Sequence, residues 1–186
     1  MTETDGAARG LSTREFREGL GYFATGIAVV TATTGDGDRI GATISSFNSV
    51  SLEPPLVLFS IARNSRAFPA WRSVAHFAVN VLAEHQAETS ARFARALGDK
   101  WGGTRWAEAS NGAPLLPDAL AAFECVRYAN YDGGDHLIIV GRVLGVRVRQ
   151  PANAAPLIFF RSGYRRLAGE GRDQARLDAQ PWFHGW

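Results

Sequence analysis

The sequence predicts a mainly β fold, a compact and mostly antiparallel barrel with helices packed outside it. Six or seven runs of strand composition are separated by turn residues, only two or three stretches have helical periodicity, and the two kinds do not alternate as a doubly wound sheet requires. Closing the strands into a barrel removes the edges that an open antiparallel sheet would expose. A length of 186 residues suits one domain, and 46% apolar with 20% charged residues is a balance that buries a core.

Residues 1–10 are small and polar without periodicity and read as a disordered arm. Ser12-Thr-Arg-Glu15 is a capping box, with Leu11 and Phe16 at the spacing of a hydrophobic staple, so a helix is expected from about Thr13 to Ala24. The β-branched run Ile27 to Thr34, the turn Gly35-Asp-Gly-Asp38 and the run from Ile40 form a β-hairpin. Leu56 to Ile61 is continuously apolar, as in a strand covered on both faces. Ser65 is positioned to cap a short helix through Phe68, Trp71 and Val74, and His76 to Leu82 returns to strand composition. A second helix is expected over about Glu84 to Leu97, followed by a long loop from Gly98 to Pro117. Leu120 to Tyr131 and His136 to Arg149 read as two long strands joined by Asp132-Gly-Gly-Asp135, and Leu157 to Phe160 as a last short one. The ordered domain is thus 11–167, with 168–186 a tail that either packs on a barrel or is disordered.

Composition narrows the function. Twenty basic against 18 acidic residues leave a formal charge of +2, too little for a nucleic-acid-binding stripe, and no apolar run is long enough to cross a bilayer. One cysteine, Cys125, and no apolar signal segment through Gly10 point to a cytoplasmic protein. Gly35-Asp-Gly-Asp-Arg-Ile-Gly41 joins two strands and reads as a turn rather than a dinucleotide fingerprint. The histidines His76, His85, His136 and His184 have no ligand spacing, so no metal site is expected.

One segment stands out. In Gly41-Ala-Thr-Ile-Ser-Ser-Phe-Asn-Ser-Val-Ser51, seven of eleven residues are Gly, Ser, Thr or Asn, directly before the apolar strand. Such a strand end offers many small donors and acceptors to a planar heterocycle, or equally makes a solvated, hydroxyl-rich turn.

Five blocks in order then resemble the short-chain NAD(P)H:flavin oxidoreductases, the reductase components of two-component flavin-dependent monooxygenases. They are Ala24 to Thr31, Gly41 to Pro55, Phe77 to Leu82, Gly134-Asp-His136 and Phe159-Phe-Arg-Ser-Gly-Tyr164. The resemblance implies an FMN-binding split β-barrel of Greek-key type, a homodimer with flavin in a groove near the subunit interface, FMN or FAD as flavin, and NADH or NADPH as hydride donor. It places Ala42, Thr43, Ile44, Ser45, Ser46 and Phe47 along the flavin, Thr25 and Gly26 close to it, and Ser60, Ile61, Asn64, Ser65 and Arg66 at its phosphate end. It also puts His136 near the nicotinamide, with Tyr164 and Arg161 as weaker candidates, while Asp135 is expected to shape the turn. Trp101 and Trp106 are left outside the site. The implied activity is reduction of flavin for a separate monooxygenase. The alternatives are a split-barrel flavoprotein that keeps its flavin for another substrate and a non-catalytic flavin- or haem-binding protein.

Overall fold

The computed structural model describes residues 10–149 and 154–167. The expected arm and tail fall outside these, except for Gly10. The elements run α1 (Thr13–Gly21), β1 (Thr25–Gly26), β2 (Ala28–Thr33), β3 (Arg39–Ile44), β4 (Asn48–Leu52), β5 (Pro55–Ala62), α2 (Phe68–Ser73) and β6 (His76–Val81). A single 3-10 turn (Glu84–Gln86) leads into α3 (Ala87–Ala94). Then follow β7 (Ala107–Glu108), β8 (Pro114–Leu115), β9 (Ala121–Gly133), β10 (His136–Val148), β11 (Ile158–Phe160) and β12 (Gly163–Arg165).

Seven strands form one sheet in the order β3-β2-β6-β9-β10-β5-β4, and each recorded pairing is antiparallel. The sheet curls into a split barrel. Between its β3 and β5 sides the Ser60 amide donates to Ser46 Oγ at 3.0 Å. Inward residues of alternate register, among them Val30, Val57, Phe59, Phe77, Val79 and Ile139, make the main core, with Phe59 edge-on to both Phe77 and Trp71. Outward residues of the same strands meet two covers. Helix α3 sits over Ile27, Val29, Leu82 and Leu157 through Phe93, and the β7–β8 segment lays Ala109, Ala113 and Leu115 over Ala78 and Ala122.

Several boundaries differ from expectation for local reasons. The capping box forms, with the Glu15 amide donating to Ser12 Oγ and the Ser12 amide to Glu15 Oε2, both at 3.1 Å. Helix α1 nevertheless stops at Gly21, where the glycines at 19 and 21 raise the cost of continuing and the Tyr22 amide closes onto the Gly19 carbonyl. Leu11 and Phe16 are both exposed. Ser65 does not cap α2. Its N-cap is Ala67, without a side-chain bond, and Pro69 in the first turn pre-sets the helix instead. Helix α3 ends at Ala94 rather than Leu97, because Arg95 is already extended. Among the described residues no helix is long and apolar enough to cross a membrane.

Candidate functional site

A cavity of about 710 Å³ opens between the β3 edge, the end of β5 with the turn into α2, and the stretch from Phe93 to Trp101. Its size suits a cofactor. Ala42, Thr43, Ile44, Ser45 and Ser46 line one wall, and Ser60, Ile61, Asn64, Ser65, Arg66 and His136 line another. Four of the sequence-derived candidates do not line it. Thr25 and Gly26 pair with Phe159 and Ile158 in the small sheet, and Phe47 packs on Phe123 at 5.3 Å. The Tyr164 hydroxyl is bonded to Ser90 Oγ at 2.8 Å. Arg161, like Tyr164 one of the weaker candidates, stacks over Tyr22 instead.

The β3 wall is built by its strand register. Ile40, Ala42 and Ile44 turn toward the barrel core, so Gly41 and Thr43 face α3. Thr43 Oγ1 donates to the Ser90 carbonyl at 2.7 Å, which commits that hydroxyl to the helix. A Cβ on Gly41 would fall 2.6 Å from the Phe93 ring, so the absence of a side chain is what lets α3 approach. Because β3 is an edge strand, alternate main-chain groups along it have no strand partner. One of these, the Gly41 carbonyl, accepts from Lys100 Nζ at 3.1 Å, and the Phe93 carbonyl accepts from the same ammonium at 2.9 Å. Burial holds Lys100 below the usual lysine pKa.

On the other wall, His136 opens β10 with its side chain 43% exposed and Nδ1 2.7 Å from Asp135 Oδ1. This bond holds the Asp135 carboxyl below its ordinary pKa. The turn itself is shaped by Asp132, contrary to expectation. Its Oδ1 accepts from the Gly134 amide at 2.7 Å, its Oδ2 pairs with Arg63 at 3.1 Å, and Arg63 Nε also donates to the Gly134 carbonyl. Gly134 sits at φ +73°, where a side chain would be strained. Asp135 is thereby left to orient the imidazole through Nδ1, and His136 lines the cavity.

The donor set fits a flavin. Hydroxyls of Ser45, Ser46, Ser60 and Ser65, the Asn64 amide and the Arg66 fork supply polar groups, while Ala42, Ile44, Ile61 and Phe93 supply flat apolar contacts. Thr25 Oγ1 is buried without a partner among the described residues. The cavity also contains Arg39, Phe93, Arg95 and Lys100, which sequence reasoning passed over, and Trp101, which it had left outside the site. For the first four, a lone lysine against 19 arginines was the one local signal. The buried Cys125 thiol is pushed up to about 12 by desolvation and is no nucleophile at neutral pH. Among the described residues no cluster of three or more His, Cys, Asp or Glu could hold a metal ion.

The model of the family described as Flavin reductase like domain matches residues 20–168. The chain is 46% identical over 159 residues to "FMN reductase (NADH) SmoA" of Agrobacterium fabrum, covering 86% of this chain and 88% of that one. It is 41% identical over 169 residues to "Flavin-dependent monooxygenase, reductase subunit HsaB" of Rhodococcus jostii, covering 88% and 85%. The solved NADH:FAD oxidoreductase SgcE6 of Streptomyces globisporus, in complex with NAD and FAD fragments, superposes with a TM-score of 0.80 at 31% identity, covering 88% of this chain and 99% of that one. The chain spans about half the length of two other relatives, 50% and 51%.

Proposed function

Since this chain belongs to the flavin reductase-like domain family, we infer that it is a flavin reductase that uses NADH or NADPH to reduce FMN or FAD, and that it supplies the reduced flavin to a separate flavin-dependent monooxygenase. The observation that carries this reading is the single cavity onto which the hydroxyl-rich β3–β4 segment, the Ser60–Arg66 segment and His136 converge. A bound flavin supplies the hydride acceptor, and the nicotinamide supplies the hydride. The protein's own task is then alignment and exclusion of water. Ala42 to Ser46 hold the flavin ring and ribityl chain through main-chain groups and the serine hydroxyls. Ser60, Asn64, Ser65 and Arg66 take its phosphate end. His136, oriented by Asp135, holds the nicotinamide against the flavin. This division of labour needs no acid-base dyad.

The enzyme works as a homodimer. Helix α1 buries none of its residues within one chain, leaving Phe16 and Leu20 uncovered, and Tyr22 and Phe23 just after it and Leu144, Val146 and Val148 of β10 are likewise exposed. Apolar area of this extent is covered by a second copy. Light scattering should give twice the chain mass. The cytoplasm, where NAD(P)H is available, is its compartment.

The activity is tested by following NAD(P)H oxidation with and without added FMN or FAD. Oxidation that requires added flavin supports the reading. A protein that purifies yellow and oxidises NAD(P)H without added flavin is instead a flavoenzyme with a retained cofactor. The absence of oxidation under either condition would leave only a binding protein.

A further inference from the structure

Arg63 is not among the residues that line the cavity, yet it joins two segments that are. Asn64, Ser65 and Arg66 follow it directly in the chain, and His136 stands just after the β9–β10 turn that it grips. The Arg63 amide donates to the Asp135 carbonyl at 2.9 Å, one step past the outermost β5–β10 pair, Ala62 with His136. Its guanidinium reaches the same turn with two donors, Nε to the Gly134 carbonyl at 2.8 Å and Nη2 to Asp132 Oδ2 at 3.1 Å. The other Asp132 oxygen accepts the Gly134 amide, so carboxylate and guanidinium together hold a turn that its glycines would leave free. The same guanidinium lies 5.8 Å from the Phe68 ring centroid in α2, which brings it across the Asn64–Arg66 segment.

Folding stability does not account for this arrangement. The Arg63 and Asp132 side chains are 40% and 79% exposed, so their ion pair adds little to it. A planar fork on two acceptors supplies direction instead, because it fixes the distance and angle between the elements it joins. Those elements are the two chain segments that leave the β5–β10 ladder at its cavity end, where strand pairing no longer holds them together.

We propose that Arg63 is a positioning residue that couples the Asn64–Arg66 segment to the His136 turn, so that a flavin held at the first prepares the second for the nicotinamide. This rests on the flavin-reductase reading above, which gives the phosphate end of the flavin to one segment and the nicotinamide to the other. A ligand that orders Asn64–Arg66 orders the turn through the guanidinium, and the second ligand then has less freedom to remove when it binds. The effect is reciprocal, so the nicotinamide tightens the flavin by the same factor.

The dissociation constant of FMN is measured by fluorescence titration with and without saturating NAD+, which has no hydride to give, and KM and kcat for NADH are measured at saturating FMN. Wild type should bind FMN about fivefold more tightly with NAD+ present. Arg63→Ala should bring this factor close to one and raise the KM for NADH about threefold, with kcat and FMN binding in the absence of NAD+ little changed. Asp132→Asn keeps an acceptor for the Gly134 amide while removing the Arg63 ion pair. It should show part of both changes, and it decides by the same readings if Arg63→Ala does not fold. Arg63→Lys, which keeps the charge without the fork, should restore only part of the coupling. Absence of coupling in the wild type, or an unchanged factor in Arg63→Ala, overturns the proposal. So does a joint fall of kcat, FMN affinity without NAD+ and melting temperature, which marks a merely structural role. A wild type that binds neither FMN nor FAD and does not oxidise NAD(P)H overturns the reductase reading, and the proposal with it.

Discussion

Two covers lie on the outside of this barrel, and each is pinned by one side chain that bridges two main-chain carbonyls. Over β6 and β9, Asn111 Nδ2 donates to the carbonyls of Phe77 and Cys125 at 3.1 and 3.0 Å. Over β3, Lys100 Nζ donates to those of Gly41 and Phe93. Each region also has a glycine whose missing Cβ admits a phenylalanine ring. Gly141 admits Phe77 inside the barrel, and Gly41 admits Phe93 outside it. The difference lies in the strands. Gly141 is on β10, hydrogen-bonded on both sides by β9 and β5, whereas Gly41 is on the edge strand β3. In a strand held on both sides the device only seals a core. On an edge it shapes the wall of an open cavity, so the same packing trick contributes stability in one place and binding geometry in the other.

The comparison predicts its own sharpest break at Gly141. A Cβ there would sit 2.3 Å from Phe77 Cζ and 3.2 Å from Cys125 Cβ, both enclosed, so Gly141→Ala should cost about 3 kcal/mol in urea unfolding. A loss below about 1 kcal/mol would show that the closed side yields as easily as the open one. Next comes Glu124, whose side chain is 5% exposed and bonded to Arg147 Nε at 2.8 Å and to the Ser110 amide at 3.0 Å. Glu124→Gln should cost about 2 kcal/mol at neutral pH. The hydroxyl of Ser110, followed by Arg147, holds this carboxyl below 4.5 despite its burial. Its stabilisation is therefore complete above pH 4.5 and lost as pH falls through the lower folded value, so acid should unfold wild type more steeply than the glutamine variant.

Gly41→Ala should separate the two regions. The Phe93 ring that a new Cβ would meet at 2.6 Å belongs to a cover docked on an edge strand rather than to the closed barrel, so the stability loss should be smaller, about 1 kcal/mol, while flavin affinity measured by fluorescence titration should fall about tenfold because the cavity wall moves. Unchanged flavin affinity would detach Gly41 from the site. The smallest effect is expected at Asp135, an exposed carboxylate that acts only through His136. Asp135→Asn should raise the KM for NADH by about threefold, with FMN affinity unmoved. His136→Ala should raise the same KM further, and a wild-type KM in Asp135→Asn would deny Asp135 a positioning role.

Much of this was legible in the residues. The capping box at Ser12 and Glu15 formed as its spacing dictates, and the β2–β3 and β9–β10 hairpins followed from their turn residues, because each is decided by neighbours within a few positions. The Ala42–Ser46 and Ser60–Arg66 segments reach one cavity because the β4–β5 hairpin between them turns the chain back, so that the Ser60 amide meets Ser46 Oγ. Short pairings such as β1 with β11 carry too few residues to leave a pattern. Tyr164 is drawn to Ser90 and Thr43 to the Ser90 carbonyl by a helix whose place over β3 no local signal announces.

The sequence by itself determined a β-rich barrel with a hydroxyl-lined strand end, because alternation, turn chemistry and composition act over short stretches of chain. Tertiary structure alone decided that Arg39 would lie between Trp101 and Trp106, that Lys100 would clamp Gly41 to Phe93, and that Asp132 rather than Asp135 would close the turn. The first two bring β3 against the Phe93–Trp106 region about sixty residues later in the sequence, and the third is settled by Arg63, which reaches the turn from the end of β5. Such contacts exist only after the sheet has curled and its covers have docked, since it is burial against the barrel that offsets the entropy of bringing those distant segments together.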